Sequence, residues 1–229
     1  KLFISDRRLV QTLRVLQAEC LSRATPEQLT ARDEPLTVTL DHLSACRFTF
    51  IEAGNSEADA AYDTVFGTLI GQRQKQEAEE GEIVSFHETR LSDFGLSENL
   101  DKIEFVQGDA HNLKPQFTGY DLVLAANLLD RLYDPSHFLS SIHERINPGG
   151  LLVLASPYTW LEEHTKREEW IGGFKKNAES FTTLDGLKEL LGSHFRLTEG
   201  PLDVPFVIRE TRRKFQYSVS EVTLWERIS

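Results

Sequence analysis

The sequence predicts an α/β fold, a doubly wound and mostly parallel sheet that closes on an antiparallel C-terminal hairpin. Three observations carry this. From residue 101 onward, short apolar runs rich in β-branched residues alternate with longer amphipathic segments, the rhythm of α/β units. Successive runs end in polar residues: "KIEFVQGDA" in Gly108 and Asp109, "YDLVLAAN" in Asn127, "LLVLASPY" in Ser156, Pro157 and Tyr158. Last, two alternating stretches, about 203–209 and 215–227, are joined by the charged "RETRRK".

The elements follow in order. Strands are expected at about 103–106 and 121–126. "DPSHFLSSIHERI" reads as a helix, with Asp134 and Pro135 supplying an N-cap and a first-turn proline while Phe138, Leu139, Ile142 and Ile146 share one face. "NPGG" stops it, and "LLVLASPY" is a buried strand. "TTLDGLKELLGSHF" is a second helix, opened by Thr182 or Thr183 and closed at Gly192. The first hundred residues give a helix in "DRRLVQTLRVLQAECL", a short strand ending at Asp41 and a further strand in "FTFIEAG". "GQRQKQEAEEGE" reads as solvated helix or loop. One domain over residues 1–229 is expected, with the composition shifting near residue 80.

The 229 residues are 40% hydrophobic, enough for a proper core. With 36 acidic against 25 basic residues the formal charge is -11, which argues against general attraction to nucleic acid or anionic lipid and for small molecules or proteins as partners. The two cysteines, Cys20 and Cys46, form no CxxC pair, and no histidine cluster has metal-ligand spacing, so neither a disulfide framework nor a metal site is expected. No apolar run approaches ~18 residues and the N-terminus has no signal-peptide pattern, so the expected compartment is the cytoplasm. The chain contains no methionine, which leaves open a fragment, a processed chain or a domain cut from something longer.

Strand ends rich in acids and amides, in a sheet of this kind, suit a nucleoside cofactor: a carboxylate for the ribose hydroxyls, an acceptor for the adenine amine and polar groups near the central crevice. That assigns Asp41 to the ribose, Asp109 with its neighbours Gly108 and Ala110 to the adenine, and Asn127 to the region beside the reactive centre. The ordering "GDA … N … PGG" resembles that of class I methyltransferases using S-adenosyl-L-methionine.

The longer stretches are more specific. "EEGEIVSFHETRLSDFGL", "VQGDAHNLKPQFTGYDLVLAANLLDRLYDP", "SPYTWLEEHTKREEWIGGF" and "DVPFVIRETRRKFQYSVSEVTLW" closely resemble the C-terminal methyltransferase domain of the ovothiol biosynthesis protein. The resemblance covers residues 79–227 and implies a Rossmann-like fold, S-adenosyl-L-methionine as donor, and methylation of an imidazole nitrogen of 5-thiohistidine (4-mercaptohistidine) to give ovothiol A. It also implies a sulfoxide synthase as a fused or associated partner. The family's glycine-rich turn after the first strand has no clear counterpart. "LFISDRRLV" at 2–10 has no glycine, and "FIEAGNSEADAAY" at 50–62 has only Gly54. Either the first nine residues are a degenerate first strand and Asp41 the ribose ligand, or "FIEAGN" is the motif turn with Glu52 and Gly54 in that role. The missing turn keeps open a second reading, a noncatalytic domain that serves as scaffold or regulatory partner of a synthase.

A substrate with a thiolate, an imidazole, a carboxylate and an ammonium calls for aromatic walls, cations and an acid or amide. The resemblance makes 156–174 a substrate-side loop, offering Tyr158 and His164 as catalytic candidates and Trp160 and Trp170 as substrate contacts beside Asn127. The tryptophans have an alternative role as a clamp on the loop, and His164 an alternative as a solvated side chain. Arg209, Arg212 and Arg213 fall at the hairpin turn, where Arg209 or Arg213 is a candidate for the substrate carboxylate. Glu162 and Glu163 are candidates for the ammonium. Asp130 and Arg131 are expected to pair locally and shape the crevice.

Overall fold

The computed structural model describes residues 2–3, 48–52, 72–90 and 103–229. The strands are β1 (Leu2–Phe3), β2 (Phe48–Glu52), β3 (Gln72–Glu80), β4 (Ile83–Arg90), β5 (Ile103–Gln107), β6 (Tyr120–Ala126), β7 (Ile146–Ser156), β8 (Phe174–Lys176), β9 (Glu179–Phe181), β10 (Phe195–Arg209) and β11 (Phe215–Arg227). Among the described residues two α-helices accompany them, α1 (Pro135–Ser141) and α2 (Thr183–Leu191). Seven strands build the main sheet in the order β10-β11-β7-β6-β1-β2-β5. β5, β2, β1, β6 and β7 run parallel, while β11 and β10 close the sheet antiparallel. This is the expected doubly wound sheet with its C-terminal hairpin.

Local chemistry explains the helices. Asp134 caps α1 by accepting the His137 N–H at 2.9 Å, and Pro135 occupies the first turn, where no donor is needed. The α-helix ends at Ser141 and tightens into a 3-10 turn over Ile142–Arg145, so it is shorter than the sequence pattern implied. α2 opens on a capping box in which Thr182 and Asp185 bond each other's backbone. Successive strand residues face opposite sides, so β6 feeds two cores. Val123 and Ala125 pack with Leu152, Leu154 and Trp225 beneath the two helices. Leu124 and Ala126 pack with Val153, Val222 and Leu224 on the other face.

Several sequence expectations change. The stretch 72–80 is a strand, paired with β4 in a hairpin, rather than helix or loop. Its polar residues gave no alternation to read. β10 begins at Phe195, eight residues before the expected 203, and β7 begins at Ile146 instead of 151. The first strand is Leu2–Phe3, paired with both Leu122–Val123 of β6 and Phe48–Thr49 of β2. "FIE" therefore closes the second strand, one place further from β6, and cannot supply the turn after the first. The helix proposed within 5–20, the strand ending at Asp41, Asp41 itself and Gly54 lie outside the described residues. Among the described residues no helix is long and apolar enough to cross a membrane.

Candidate active site

The chain lays β2 and β5 on one side of β1 and β6 and β7 on the other, so strand order reverses between β1 and β6. In open sheets of this type ligands bind beyond the carboxyl ends at that reversal. Asn127 is the first residue past β6. Its backbone is left-handed, with φ 52°, a conformation asparagine tolerates better than most residues. Its N–H donates to the Ala155 carbonyl at 2.5 Å, and its Oδ1 accepts the Ser220 hydroxyl of β11 at 2.7 Å. The end of β6 is thereby tied to β7 and to β11.

Asp130 makes the second tie. Its side chain is 1% exposed, and a buried carboxylate needs several donors. Oδ1 accepts the Ser156 hydroxyl at 3.2 Å, and Oδ2 accepts the Thr159 N–H at 3.1 Å and hydroxyl at 2.7 Å. Arg131 adds its guanidinium at 3.5 Å. The expected local ion pair is present, but the larger role of Asp130 is to anchor the loop that follows β7.

Tyr158 sits on that loop. Its φ of 51° is strained for a bulky residue, at a cost of about 1–3 kcal/mol, and its N–H donates to Ser156 Oγ at 3.1 Å. The half-buried ring directs its hydroxyl to Glu221 Oε1 at 3.1 Å. Burial, then the charge and hydrogen bond of Glu221, push the phenol pKa up, so the hydroxyl remains a proton donor. Tyr158 can orient a group but is not a base.

At the other side of the crevice β5 runs into Gly108 and Asp109, with Ala110 opening a 3-10 turn. Asp109 Oδ1 accepts the His111 N–H at 2.9 Å and meets His111 Nδ1 at 3.1 Å. Burial raises the Asp109 pKa, and the His111 bonds and the nearby imidazoles outweigh it, so the carboxyl titrates below its ordinary value. The Asp109 side chain is 55% exposed, and no described residue bonds Oδ2, which leaves that oxygen open to a ligand. His111 stacks on Tyr133 at 3.6 Å, and its Nε2 accepts the Asp134 N–H at 3.1 Å. Nδ1 therefore carries the proton toward Asp109, and this chain joins the end of β5 to the start of α1.

The substrate-side loop is fastened internally. Trp160 Nε1 donates to Thr183 Oγ1 at 3.0 Å, Trp170 Nε1 to the Thr165 carbonyl at 2.9 Å, and the two indoles stack at 6.2 Å. Gly186 of α2 permits the loop's close approach, because a Cβ there would lie 1.7 Å from the Ile171 carbonyl. Both tryptophans thus act in the clamp, their indole N–H groups satisfied within the chain. His164 is partly exposed and pairs with Glu163 at 3.3 Å, while Glu162 is exposed.

Beyond Ser156, which pairs with Glu221, β11 extends back through Phe215, roughly 20 Å at about 3.3 Å per residue. The arginines belong to the far end of this arm. Arg209 ends β10, Arg212 lies 3.9 Å from Glu79 and Arg213 3.5 Å from Glu80 of the β3–β4 hairpin. Asn127, Tyr158 and Asp130 are brought together, whereas Arg212 and Arg213 are not brought to them. Ser220, Glu221, Thr159 and His111 were not singled out from sequence. The polar positions in "YSVSEV" were the available signal for the first two, and Glu52, which closes β2 beside β1, was considered only as part of a turn.

Residues 88–192 match a family described as a methyltransferase domain. That segment, somewhat less than half of the chain, is similar to a methyltransferase domain. Methyl transfer is the activity that the sequence also implies, with S-adenosyl-L-methionine as the implied donor. Solved structures similar to this chain include one described as the conversion of a disulfide bond into a thioacetal group during echinomycin biosynthesis, 14% identical, covering 82% of this chain and 70% of that one, with a TM-score of 0.46. Another is the N-methyltransferase NodS from Bradyrhizobium japonicum WM9 in complex with S-adenosyl-L-homocysteine, 12% identical, covering 80% and 67%, with a TM-score of 0.41. A third is a S-adenosylmethionine-dependent methyltransferase from Methanosarcina mazei, 14% identical, covering 82% and 86%, with a TM-score of 0.40. No curated protein matches the sequence.

Proposed function

We propose that this methyltransferase acts on an imidazole nitrogen of 5-thiohistidine, giving ovothiol A, downstream of a fused or associated sulfoxide synthase. The reading rests on the long family-like segments within 79–227. The structural observation that carries it is the polar wall beyond β6 and β7, where Asn127 binds Ser220 and Tyr158 binds Glu221. S-Adenosyl-L-methionine, when bound, supplies an electrophilic methyl group. The residues present suit that donor: Asp109 keeps one carboxylate oxygen open for the adenine, and Asn127 stands where the strand order reverses. The remaining task is alignment of a ring nitrogen, which can lower a barrier by several kcal/mol without a strong base. Tyr158 and the clamped loop would provide a fixed wall for that purpose.

Incubation with donor and 5-thiohistidine should give a singly methylated product by mass spectrometry. Calorimetry with S-adenosyl-L-homocysteine checks the donor site separately, because "ISDRRLV" after β1 has no glycine. Failure to bind it, with the fold intact, would return the chain to the noncatalytic reading, and binding without product would remove 5-thiohistidine alone.

A further inference from the structure

We propose that Glu221 recognises the ammonium group of the methyl acceptor, with Tyr158 holding its carboxylate in place. For the molecule that bears the ammonium, this rests on the proposed function. Glu221 pairs in register with Ser156, the last residue of β7, so it stands at the carboxyl edge of the sheet beside the Asp130-anchored loop. Its Oε1 accepts the Tyr158 hydroxyl at 3.1 Å, and among the described residues Oε2 has no partner. The residue is half-buried, and no lysine, arginine or histidine among the described residues pairs with it. A carboxylate so placed lacks the donors that partial burial demands.

Its surroundings increase the deficit. Across the hairpin, Glu221 pairs directly with Asp203 of β10, on the same face, and Asp203 is exposed without a basic partner among the described residues. Like charges directly opposite on adjacent strands repel. Asp130, the other nearby carboxylate, already has Ser156, Thr159 and Arg131. Glu221 is therefore the carboxylate whose charge remains to be matched, and a cation from outside the chain would match it. An ammonium suits the position: it is compact and offers three donors, one for Glu221 Oε2 and others for Asp203 or water.

The test measures binding of 5-thiohistidine and of its N-acetyl derivative to the full chain saturated with S-adenosyl-L-homocysteine, for the parent and for Glu221→Gln. Acetylation should weaken binding to the parent by about tenfold or more. Glu221→Gln should weaken 5-thiohistidine by a similar factor and no longer distinguish the two compounds, with affinity for S-adenosyl-L-homocysteine unchanged. If Glu221→Gln does not fold, Asp203→Asn provides the second arm, with a severalfold loss that is absent for the acetylated compound. Parent-like affinity and discrimination in the folded Glu221→Gln protein, or equally in Asp203→Asn, would overturn the inference and leave the 5-thiohistidine reading standing. If the parent does not bind 5-thiohistidine, that reading fails, and the same comparison is made over a panel of amino acids and simple amines. Ammonium-dependent and Glu221-dependent methylation within the panel sustains the inference. A panel without such a substrate overturns it.

Discussion

Asp130 and Thr159, 29 residues apart in sequence, are joined by two hydrogen bonds to one carboxylate oxygen, 3.1 Å from the backbone N–H and 2.7 Å from the hydroxyl. The carboxylate is buried, so removing it strands the Ser156 and Thr159 donors as well as losing its own bonds. Asp130→Ala should destabilise the protein by about 2–4 kcal/mol in urea unfolding. Thr159→Ala, which leaves the backbone donor in place, should cost only about 1 kcal/mol. Equal effects of the two would show that the carboxylate is not the anchor of the loop.

Asn127 combines a left-handed backbone with a side-chain bond to Ser220. Replacement by glycine relieves the backbone but removes the amide, whereas alanine removes the amide and retains the strain of about 1 kcal/mol or more. Asn127→Gly should therefore unfold at a higher urea concentration than Asn127→Ala. Both should lose affinity for S-adenosyl-L-homocysteine or for the acceptor by calorimetry. Parent-like affinities in both variants would remove the amide from the site.

The parts of this fold that could be read in advance are those whose signals are local. "DP" before an apolar helical face announced α1, and "DLVLAAN" announced both a buried strand and its polar end, because cap, proline and alternation lie within a few residues of each other. β3 was not legible, since "QRQKQEAEE" presents polar residues on both faces and its hairpin is held by backbone pairing with β4. The Tyr158–Glu221 contact spans 63 residues and depends on β11 lying beside β7, an antiparallel neighbour that no nearby residue specifies. Asp130 illustrates the intermediate case. Its ionic partner Arg131 is adjacent in sequence, but its main partners come from the next strand's loop.

The hairpin arginines give a contrasting prediction. Arg213 has 73% of its side chain exposed and meets Glu80, itself 75% exposed, at 3.5 Å. Exposed pairs of this kind contribute roughly 0–1 kcal/mol and are screened by salt. Arg213→Ala should shift unfolding by less than about 1 kcal/mol and leave the acceptor KM within about twofold. A large rise in KM would bring the arm into the substrate site.

The Tyr158 hydroxyl titrates above its ordinary value because of burial first and Glu221 second. For a group whose folded pKa is raised, the stabilisation is complete below the unfolded value of about 10 and is lost as pH rises through the folded one. Tyr158 should thus contribute no ionisation to the rate profile at neutral pH, and Tyr158→Phe should reduce activity without moving either limb of that profile. Ultraviolet titration should show one phenol fewer ionising near pH 10 in the folded parent than in the unfolded chain.

His143 and His194 stack at 3.8 Å with rings 2° from parallel, and His143 Nδ1 is buried without a hydrogen-bond partner among the described residues. Burial of His143, followed by the charge of His194, lowers the His143 pKa against the opposing influence of the Ser140 backbone and the Glu144 charge. The unfolded chain then binds the proton more readily than the folded one. Stability is complete above the ordinary imidazole value of about 6.5 and is lost as pH falls through the lowered folded value. Urea midpoints should therefore fall between neutral and mildly acid pH, and His143→Gln should flatten that slope. Because the pair lies before β7 and β10, at the opposite ends of the strands from Asn127, the same variant should leave affinity for S-adenosyl-L-homocysteine at neutral pH unchanged. A slope retained in His143→Gln would assign the acid sensitivity to other groups.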